Sequence, residues 1–452
     1  SIEFLTAKTF STHSAVKAAL VLGSLDMVVG SGVLLPADIA ELFDDLDLDE
    51  AVYVASLLEP QKKVDVLTEL EADVKLKFLA GYTNDQIAND FFAYIDSDDA
   101  ADILNSMDTT QGKEILRTLE DKEHSKNISS LLKFADNEAG GLMAKELIKV
   151  KLHWTVKQCT DEIRLQAEEV SKVYTVYVVD DYDELVGWVS LKAILLAKEK
   201  MTVDEIYNDN IIYEYTYTSG EEVAATIQKY DLVALPIVDA FNRLVGRITF
   251  DDIIDFVKEE ADKDYQMLSG ISGGKDTSDT VISNTKARLP WLIIGLAGGI
   301  ASSLVIGGFE EELTKNVQLA LFMPLIMAMA GNVGVQSSSI MVQGLANNSI
   351  ANSDLWGKLG KELAIALING LVCSGLLMGY GYISGNHLDI MMTVSLALLS
   401  VILMAAVIGT VVPLALDRLK IDPALATGPF ITTSNDLLGL FLYFMIGNMF
   451  LA

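Results

Sequence analysis

The chain has 452 residues, too long for one ordinary core, and sets 33 Lys or Arg against 63 Asp or Glu, a net charge of −30. That balance argues against nucleic acid and anionic lipid as docking partners, since both are polyanions, and favours cations, with a solvated acidic surface as the plain alternative. Mean hydropathy is +0.34 with 51% hydrophobic residues, high for a soluble protein. The average joins two unlike halves. Residues 286–452 carry seven basic and nine acidic side chains, so −28 of the charge falls on residues 1–285. The two cysteines, Cys159 and Cys373, lie far apart in different halves, which argues against a disulfide framework or a zinc site and suits a reducing compartment.

In chain order, the first stretch is apolar in places, but Lys17 and Asp26 interrupt it and no small-residue cleavage site follows. No signal peptide is expected, and the missing initiator Met reads as a trimmed start. From Leu35 to about Asp121, apolar residues recur at spacings of three and four, in short units closed by acidic or polar turns such as AELFDDLDLDE and EILRTLEDKE. Short helices that stack only on their neighbours make a superhelix, so residues 1–138 are expected to form a helical-repeat N domain.

After Ala139–Met143 (AGGLM) the texture changes, and a strand–turn–strand–helix pattern occurs twice. VYTVYVVDDYDELVGWVSLKAILLA is the first copy, within residues 139–200. LVALPIVDAFNRLVGRITFDDIIDFV is the second, within 201–256. Val179-Asp180 matches Val238-Asp239, and Gly187 matches Gly246. Residues 257–284 then read as an acidic linker helix ending in a Ser/Gly-rich hinge.

Residues 285–452 hold five long runs almost free of charge: Pro290–Phe309, Asn316–Ser353, Leu363–Leu388, Ile390–Leu416 and Pro423–Ala452. Each can cross a hydrocarbon core, which takes about 20 residues. Lys286, Arg288, Lys358, Lys361, Arg418 and Lys420 all fall on the side of the soluble half, and only Lys315 falls on the other. The positive-inside rule puts the first half in the cytoplasm and the C-terminus outside. Among these runs only the last contains a carboxylate, Asp436.

The duplicated unit resembles a pair of cystathionine-β-synthase (CBS) domains, which often bind adenine nucleotides. By that resemblance Asp252 takes the ribose hydroxyls, Thr249 helps at phosphate, and Tyr174 and Lys192 line the cleft. The first copy has Ser190 but Ala193 where the Asp would stand, so its cleft reads as disabled. Helix capping is the competing explanation for Thr249 and Asp252.

Repeats, CBS pair, linker and five spans follow one another in this order in the MgtE family of magnesium channels, which the chain resembles from about Pro36 onward. Leu35-Pro-Ala-Asp-Ile-Ala-Glu-Leu resembles the opening of the family's N domain. Pro324-Leu-Ile with Gly331-Asn332-x-Gly334-x-Gln336-Ser337, and Pro429-x-x-x-Thr433-x-x-Asp436-x-x-Gly439-Leu440, resemble its two pore motifs. Family members often have Asn where this chain has Val335 and Gly428. The resemblance implies a multi-domain membrane protein: an α-helical superhelical N domain, an α/β tandem CBS pair, a linker or plug helix and a five-span all-α domain. It also implies a homodimer in the plasma membrane with magnesium as the ion, a pore on the two-fold axis, and ATP as a ligand of the CBS pair.

A carboxylate inside a span is a functional group by default, because burying it uncompensated costs several kcal/mol. Magnesium dehydrates reluctantly and prefers oxygen ligands, so a site that holds it through its waters suits it. Asp436, Asn332, Asn435, Thr433 and the backbone around Gly331 are the candidate ligands. The Met residues of the spans read as packing, and without Cys or His beside them copper or zinc is excluded. Three acidic clusters are candidate magnesium sensors: Asp96, Asp98 and Asp99; Asp251, Asp252 and Asp255; and Glu259, Glu260, Asp262 and Asp264. The first two also suit helix starts, where acids meet the macrodipole. Repulsion between the clusters would part the modules at low magnesium, and the ion would bridge them at high magnesium. A channel for other hydrated dications such as manganese or cobalt, an exchanger coupled to sodium or protons, and a receptor-like sensor are the competing readings. An enzyme is not expected: no P-loop or Ser/His/Asp arrangement occurs, and His13, His124, His153 and His387 are scattered.

Overall fold

The computed structural model describes residues 35–43, 46–167, 170, 172–271, 281–346, 355–426 and 428–451. The readings made on the N-terminal stretch, on most of the Ser/Gly hinge and on the loop after the second span lie outside these residues. The chain divides into two compact units, Ser1–Lys258 and Glu259–Ala452.

Among the described residues, the first unit begins with eight short helices: α1 (Pro36–Phe43), α2 (Leu48–Ser56), α3 (Pro60–Glu69), α4 (Ala72–Leu79), α5 (Asn84–Gln86, continued as a π-helical stretch Ile87–Phe92), α6 (Ser97–Ser106), α7 (Thr109–Thr118) and α8 (Lys122–Leu131). The acidic turns seen in the sequence are largely their caps. Asp47 and Glu50 form a capping box on α2, and Thr83 and Gln86 form one on α5. The Asp108 and Asp121 carboxylates each accept two backbone N–H groups at the starts of α7 and α8. The apolar faces meet in one core, in which Leu67, Ile87, Phe91, Phe92, Ile115, Leu119 and Ile128 are fully buried.

A one-turn helix α9 (Ala139–Leu142) leads to the duplicated part. Here β1 (Ile148–Lys151), α10 (Val156–Gln166), β2 (Val176–Val179), β3 (Leu185–Val189) and α11 (Leu191–Leu196) form the first copy. The second copy is β4 (Glu214–Tyr215), α12 (Gly220–Tyr230), β5 (Ala234–Val238), β6 (Leu244–Thr249) and the start of α13 (Phe250–Leu268). In each sheet the first strand runs parallel to the second and the third antiparallel, and the register slips at the same place, Val178/Val179 and Ile237/Val238. The repeat extends to single atoms. Asp180 Oδ1 accepts from the N–H of Tyr182 and Glu184; Asp239 Oδ1 accepts from the N–H of Phe241 and Arg243. Asp183 and Asn242 then take φ of 63° and 57°, a left-handed position that short polar side chains tolerate. The two copies join by a reciprocal pair: Leu185 N–H donates to Asn242 O and Leu244 N–H to Asp183 O.

Glycine is required after each hairpin because a neighbouring strand of backbone crosses there. A Cβ on Gly187 would strike the Asn208 carbonyl, and one on Gly246 would stand 2.8 Å from Ala144 O and 2.6 Å from Met143 Sδ.

The second unit contains the end of α13, then α14 (Val281–Gly308), α15 (Glu310–Lys315), α16 (Gln318–Ala346), α17 (Leu355–Ile383), α18 (Leu388–Arg418) and α19 (Pro429–Leu451), with a 3₁₀ turn at Pro423–Ala426. Five of these helices are long and apolar enough to span a membrane. Helices α14 and α17 begin earlier than their charge-free runs, so Lys286, Arg288, Lys358 and Lys361 sit on helix ends rather than in loops. Backbone hydrogen bonding does not stop where the hydrocarbon does, and long basic side chains reach the interface from a helix. The last helix is shorter than its run, because the turn at Pro423–Ala426 precedes it. Helix α18 is the core of the bundle, with 61% of its apolar window buried against 6% for α14. Small residues permit the contact: a Cβ on Gly409 of α18 would lie 2.5 Å from Gly334 O of α16.

Gly246→Ala should lower the melting temperature of the detergent-solubilised full chain, with a cost of about 1–3 kcal/mol from overpacking. Gly295→Ala should leave it unchanged, since a Cβ there meets nothing within 4 Å.

Candidate functional site

Helices α16 and α19 line a cleft of about 410 Å³ with Met327, Ala328, Gly331, Asn332, Val335, Gln336, Thr432 and Asp436. Spacings of three and four bring the α16 residues to one face, and one turn brings Thr432 and Asp436 together on α19. Gly331 sets the width. A Cβ there would stand 3.4 Å from Asp436 Oδ1 and 3.1 Å from Thr432 Cγ2. Because the position is bare, the carboxylate approaches the α16 backbone beside Asn332 and Gln336. The polar lining is a carboxylate, two amides and a hydroxyl, a set of hard oxygen acceptors suited to a hydrated cation.

Helix geometry takes two of the candidate ligands, Thr433 and Asn435, out of this cleft. Thr433 turns away from the cleft and packs against Gly298 of α14; its neighbour Thr432 lines the wall instead. Asn435 is fully buried against Gly334, and neither atom of its amide has a hydrogen-bond partner among the described residues. Gly428 does not line the cleft, although Val335 does. Gly428 has φ of 61°, and a Cβ there would lie 2.6 Å from Leu268 O, at the end of α13. Gly270, with φ of 72°, packs in turn on Pro429, 2.7 Å from its Cγ. The end of the linker helix is thereby fastened to the start of the helix that carries Asp436. Thr432 and Gln336 were missed as cleft residues; their spacing of four from Asp436 and Asn332 was the available signal.

In the first unit, acids that are distant in sequence converge. Asp96, Ser97, Asp98 and Asp99 open α6, while Asp251 and Asp252 open α13. The helix-start explanation therefore holds for both clusters, and the two starts also act on each other. Burial, then Asp99, Asp252, Asp96 and Glu146, push the Asp98 carboxyl well above its ordinary range. Burial, offset by Lys75 and reinforced by Asp252, Asp96 and Asp255, pushes Asp99 up to about 6. Asp251 stands exposed on the same turn of α13. Glu146, absent from the sequence-based candidates, accepts from Ser97 N–H at 3.2 Å and Ser97 Oγ at 2.8 Å, and lies 3.6 Å from His124 Nδ1. Among the described residues, no three His, Cys, Asp or Glu side chains stand close enough to form a ready-made chelate. In the second unit, Lys263 lies between Glu259 and Glu260 at 3.3 and 2.8 Å, Asp262 is exposed and Asp264 half-buried.

The profile of the divalent cation transporter family MgtE matches residues 323–446, that of the MgtE intracellular N domain matches 34–137, and the CBS domain profile matches 139–200 and 203–259. The magnesium transporter MgtE of Bacillus subtilis is 32% identical over 426 residues, 92% of each chain. This chain belongs to the MgtE family. The MgtE magnesium transporter of Thermus thermophilus is 31% identical over 92% of this chain and 93% of that one. Among solved structures, the cytosolic domain of the Mg²⁺ channel MgtE in complex with ATP aligns at 30% identity with a TM-score of 0.50, covering 53% of this chain and 98% of that domain. The soluble part of a magnesium transporter aligns at 27% identity with a TM-score of 0.50, over 55% and 98%. The helical N domain, CBS pair and five apolar helices are thus the MgtE architecture.

The chain assembles the residues expected at a nucleotide only in part. Thr249 donates its hydroxyl to Asp252, and the same carboxylate oxygen accepts the Thr249 N–H at 3.0 Å. Tyr174 stacks on the Arg247 guanidinium at 5.1 Å. Lys192 is exposed in the first turn of α11 and enters none of these contacts. Capping accounts for the Thr249–Asp252 pair as it stands, and a ribose would compete with Thr249 for that carboxylate.

A carboxyl whose pKa is higher in the docked arrangement than in water takes up a proton on docking. Between the ordinary 3.8 and about 6, falling pH should therefore strengthen the packing of α6 on α13, and rising pH should weaken it. The Ser97 and Lys145 amides bond across this junction. In metal-free buffer their hydrogen exchange, corrected for intrinsic rates, should slow as pH falls, and Asp99→Asn should flatten the response.

Proposed function

We propose that this chain is a magnesium-selective channel, gated by cytoplasmic magnesium through its acidic first unit. The observation that carries the reading is the α16–α19 cleft, where Asp436 meets Asn332, Gln336 and Thr432 across the gap left by Gly331. The relatives named as magnesium transporters support the choice of ion.

The chain acts as a homodimer, with two copies of the cleft facing across a two-fold axis. Two Asp436 carboxylates then repel one another when the pore is empty, and a dication between them removes that repulsion. The ion keeps most of its water, and Asn332, Gln336 and Thr432 accept hydrogen bonds from that shell. The first unit lies in the cytoplasm and the C-terminus outside a plasma membrane, a reading that the basic flanks of the spans support.

Gating follows from the opposed helix starts. At low magnesium, Asp96, Asp98 and Asp99 repel Asp252 and Asp255 and the N domain leaves the CBS pair. At high magnesium, hydrated ions between the two starts favour the docked state, a population shift toward the form that binds the ligand better. The contact of Gly428 and Pro429 with the end of α13 carries the change into the pore helix. Glu259, Glu260, Asp262 and Asp264 extend the sensor along that linker, with Lys263 holding part of their charge. An adenine nucleotide modulates the CBS pair, using Tyr174, Thr249 and Asp252. This rests on the relative whose cytosolic domain carries ATP, and Lys192 would join only after a shift of α11.

Magnesium flux into proteoliposomes tests the reading. The intact chain should carry magnesium down its gradient with no second ion present, and Asp436→Ala should reduce the flux by at least about tenfold, as expected for loss of a charged ligand inside a span. Gly331→Val should silence the channel while preserving its elution as a folded assembly. Equal flux through Asp436→Ala would overturn the pore assignment. Flux that stops when sodium or a proton gradient is removed would mark an exchanger, and equal manganese or cobalt flux a broader channel.

A further inference from the structure

We propose that Arg247 is a built-in counter-ion of the acidic junction, supplying with a fixed charge part of what a bound dication supplies. It thereby sets how much magnesium is needed to dock the N domain on the CBS pair. The inference rests on the gating reading above and names a residue that tunes it.

Arg247 lies on β6 immediately after Gly246, where the segment from Met143 crosses the strand. Its backbone is held from both sides: Arg247 N–H donates to Ala144 O at 2.9 Å, and Ala144 N–H donates to Arg247 O at 2.8 Å. The side chain is 4% exposed. Its Nε donates to Glu146 O at 2.6 Å, and the Tyr174 ring lies 5.1 Å from the guanidinium carbon. With its direction set by these contacts, Nη2 stands 3.8 Å from Asp96 Oδ2 at the start of α6. This is an ion pair across the junction between the N domain and the second CBS copy.

The surroundings are strongly acidic. Burial and Glu146 raise the Asp96 carboxyl, Arg247 lowers it, and Asp252 raises it again. Lys75 acts on Asp99 from the helical side, while the CBS side contributes Arg247 at Asp96 and Lys145 at Glu146. A guanidinium keeps its charge at every accessible pH, unlike the carboxyls and His124 around it. Its contribution is therefore constant, and magnesium has to neutralise only the remainder. An arginine also cannot leave, so it biases the docked state without switching it; the switch stays with the ion.

The experiment is a magnesium titration of the full chain in nanodiscs, reading hydrogen exchange at the Ser97 and Lys145 amides. Arg247→Met should move the protection midpoint to higher magnesium, by roughly tenfold, the order expected for one partly buried ion pair. Arg247→Lys should fall between Met and wild type, because it keeps the charge and loses the directed fork. Arg247→Met combined with Asp96→Asn should return the midpoint toward wild type, a rescue that mere loss of packing would not give. An unshifted midpoint in Arg247→Met, or no rescue by Asp96→Asn, overturns the inference. If wild-type protection ignores magnesium altogether, the gating reading fails. The inference is then decided at zero magnesium, by whether Arg247→Met loses protection and Asp96→Asn restores it.

Discussion

Carboxylate charge held without enough fixed cation is the constraint on which the rest of this protein depends. Ordinary soluble domains spread acids over their surface, where water screens them. Here two helix starts, α6 and α13, bring theirs together, and burial, then Asp99 on the same helix and Asp252 across the junction, push the Asp98 carboxyl well above its ordinary range. The helix macrodipoles stabilise each cluster separately, but they cannot cancel the repulsion between clusters. In the gating proposed above, cations offset that repulsion and favour the docked arrangement. The same deficit recurs in the membrane unit, where Asp436 faces a cleft lined by neutral oxygens.

Bare backbone turns this charge into geometry. At Gly331 the missing side chain lets α19 bring its carboxylate against α16. At Gly246 it lets the chain before β1 cross β6, which is what points Arg247 and Glu146 at α6. At Gly428 a left-handed residue lets α13 end against the start of α19. An added methyl group at any of the three meets an atom at 3.4 Å or less. At each of the three the backbone is so closely packed that a small displacement is not absorbed locally.

Much was legible before any coordinates. The duplicated hairpins could be aligned residue by residue, since Asp180 and Asp239 must cap the same turn and Gly187 and Gly246 must admit the same crossing. The five spans followed from runs without charge, and their order after helical repeats and a CBS-like pair pointed to the MgtE architecture. Asp436 stood out because a carboxylate inside such a run has no structural excuse. The helical face was harder to read. Thr433 and Asn435 share a motif with Asp436, but a helix rotates each residue by about 100°, so motif neighbours point to different sides. Thr432 and Gln336, which share the cleft, were not among the candidate ligands, although Gln336 stands in the α16 motif.

What the sequence determined by itself was therefore local or periodic: caps, hairpin turns, spans, the acidic charge of the first half, and the lone charged group in the last span. These depend on residues a few positions apart, where backbone geometry is nearly fixed by type. Only the tertiary structure decided which acids meet, that Glu146 and Arg247 belong to the junction, and that Gly428 touches the linker rather than the pore wall. Those contacts join residues as much as about 160 positions apart in the chain. Their partners are chosen by how whole helices and sheets pack, a choice that no short pattern in the chain encodes.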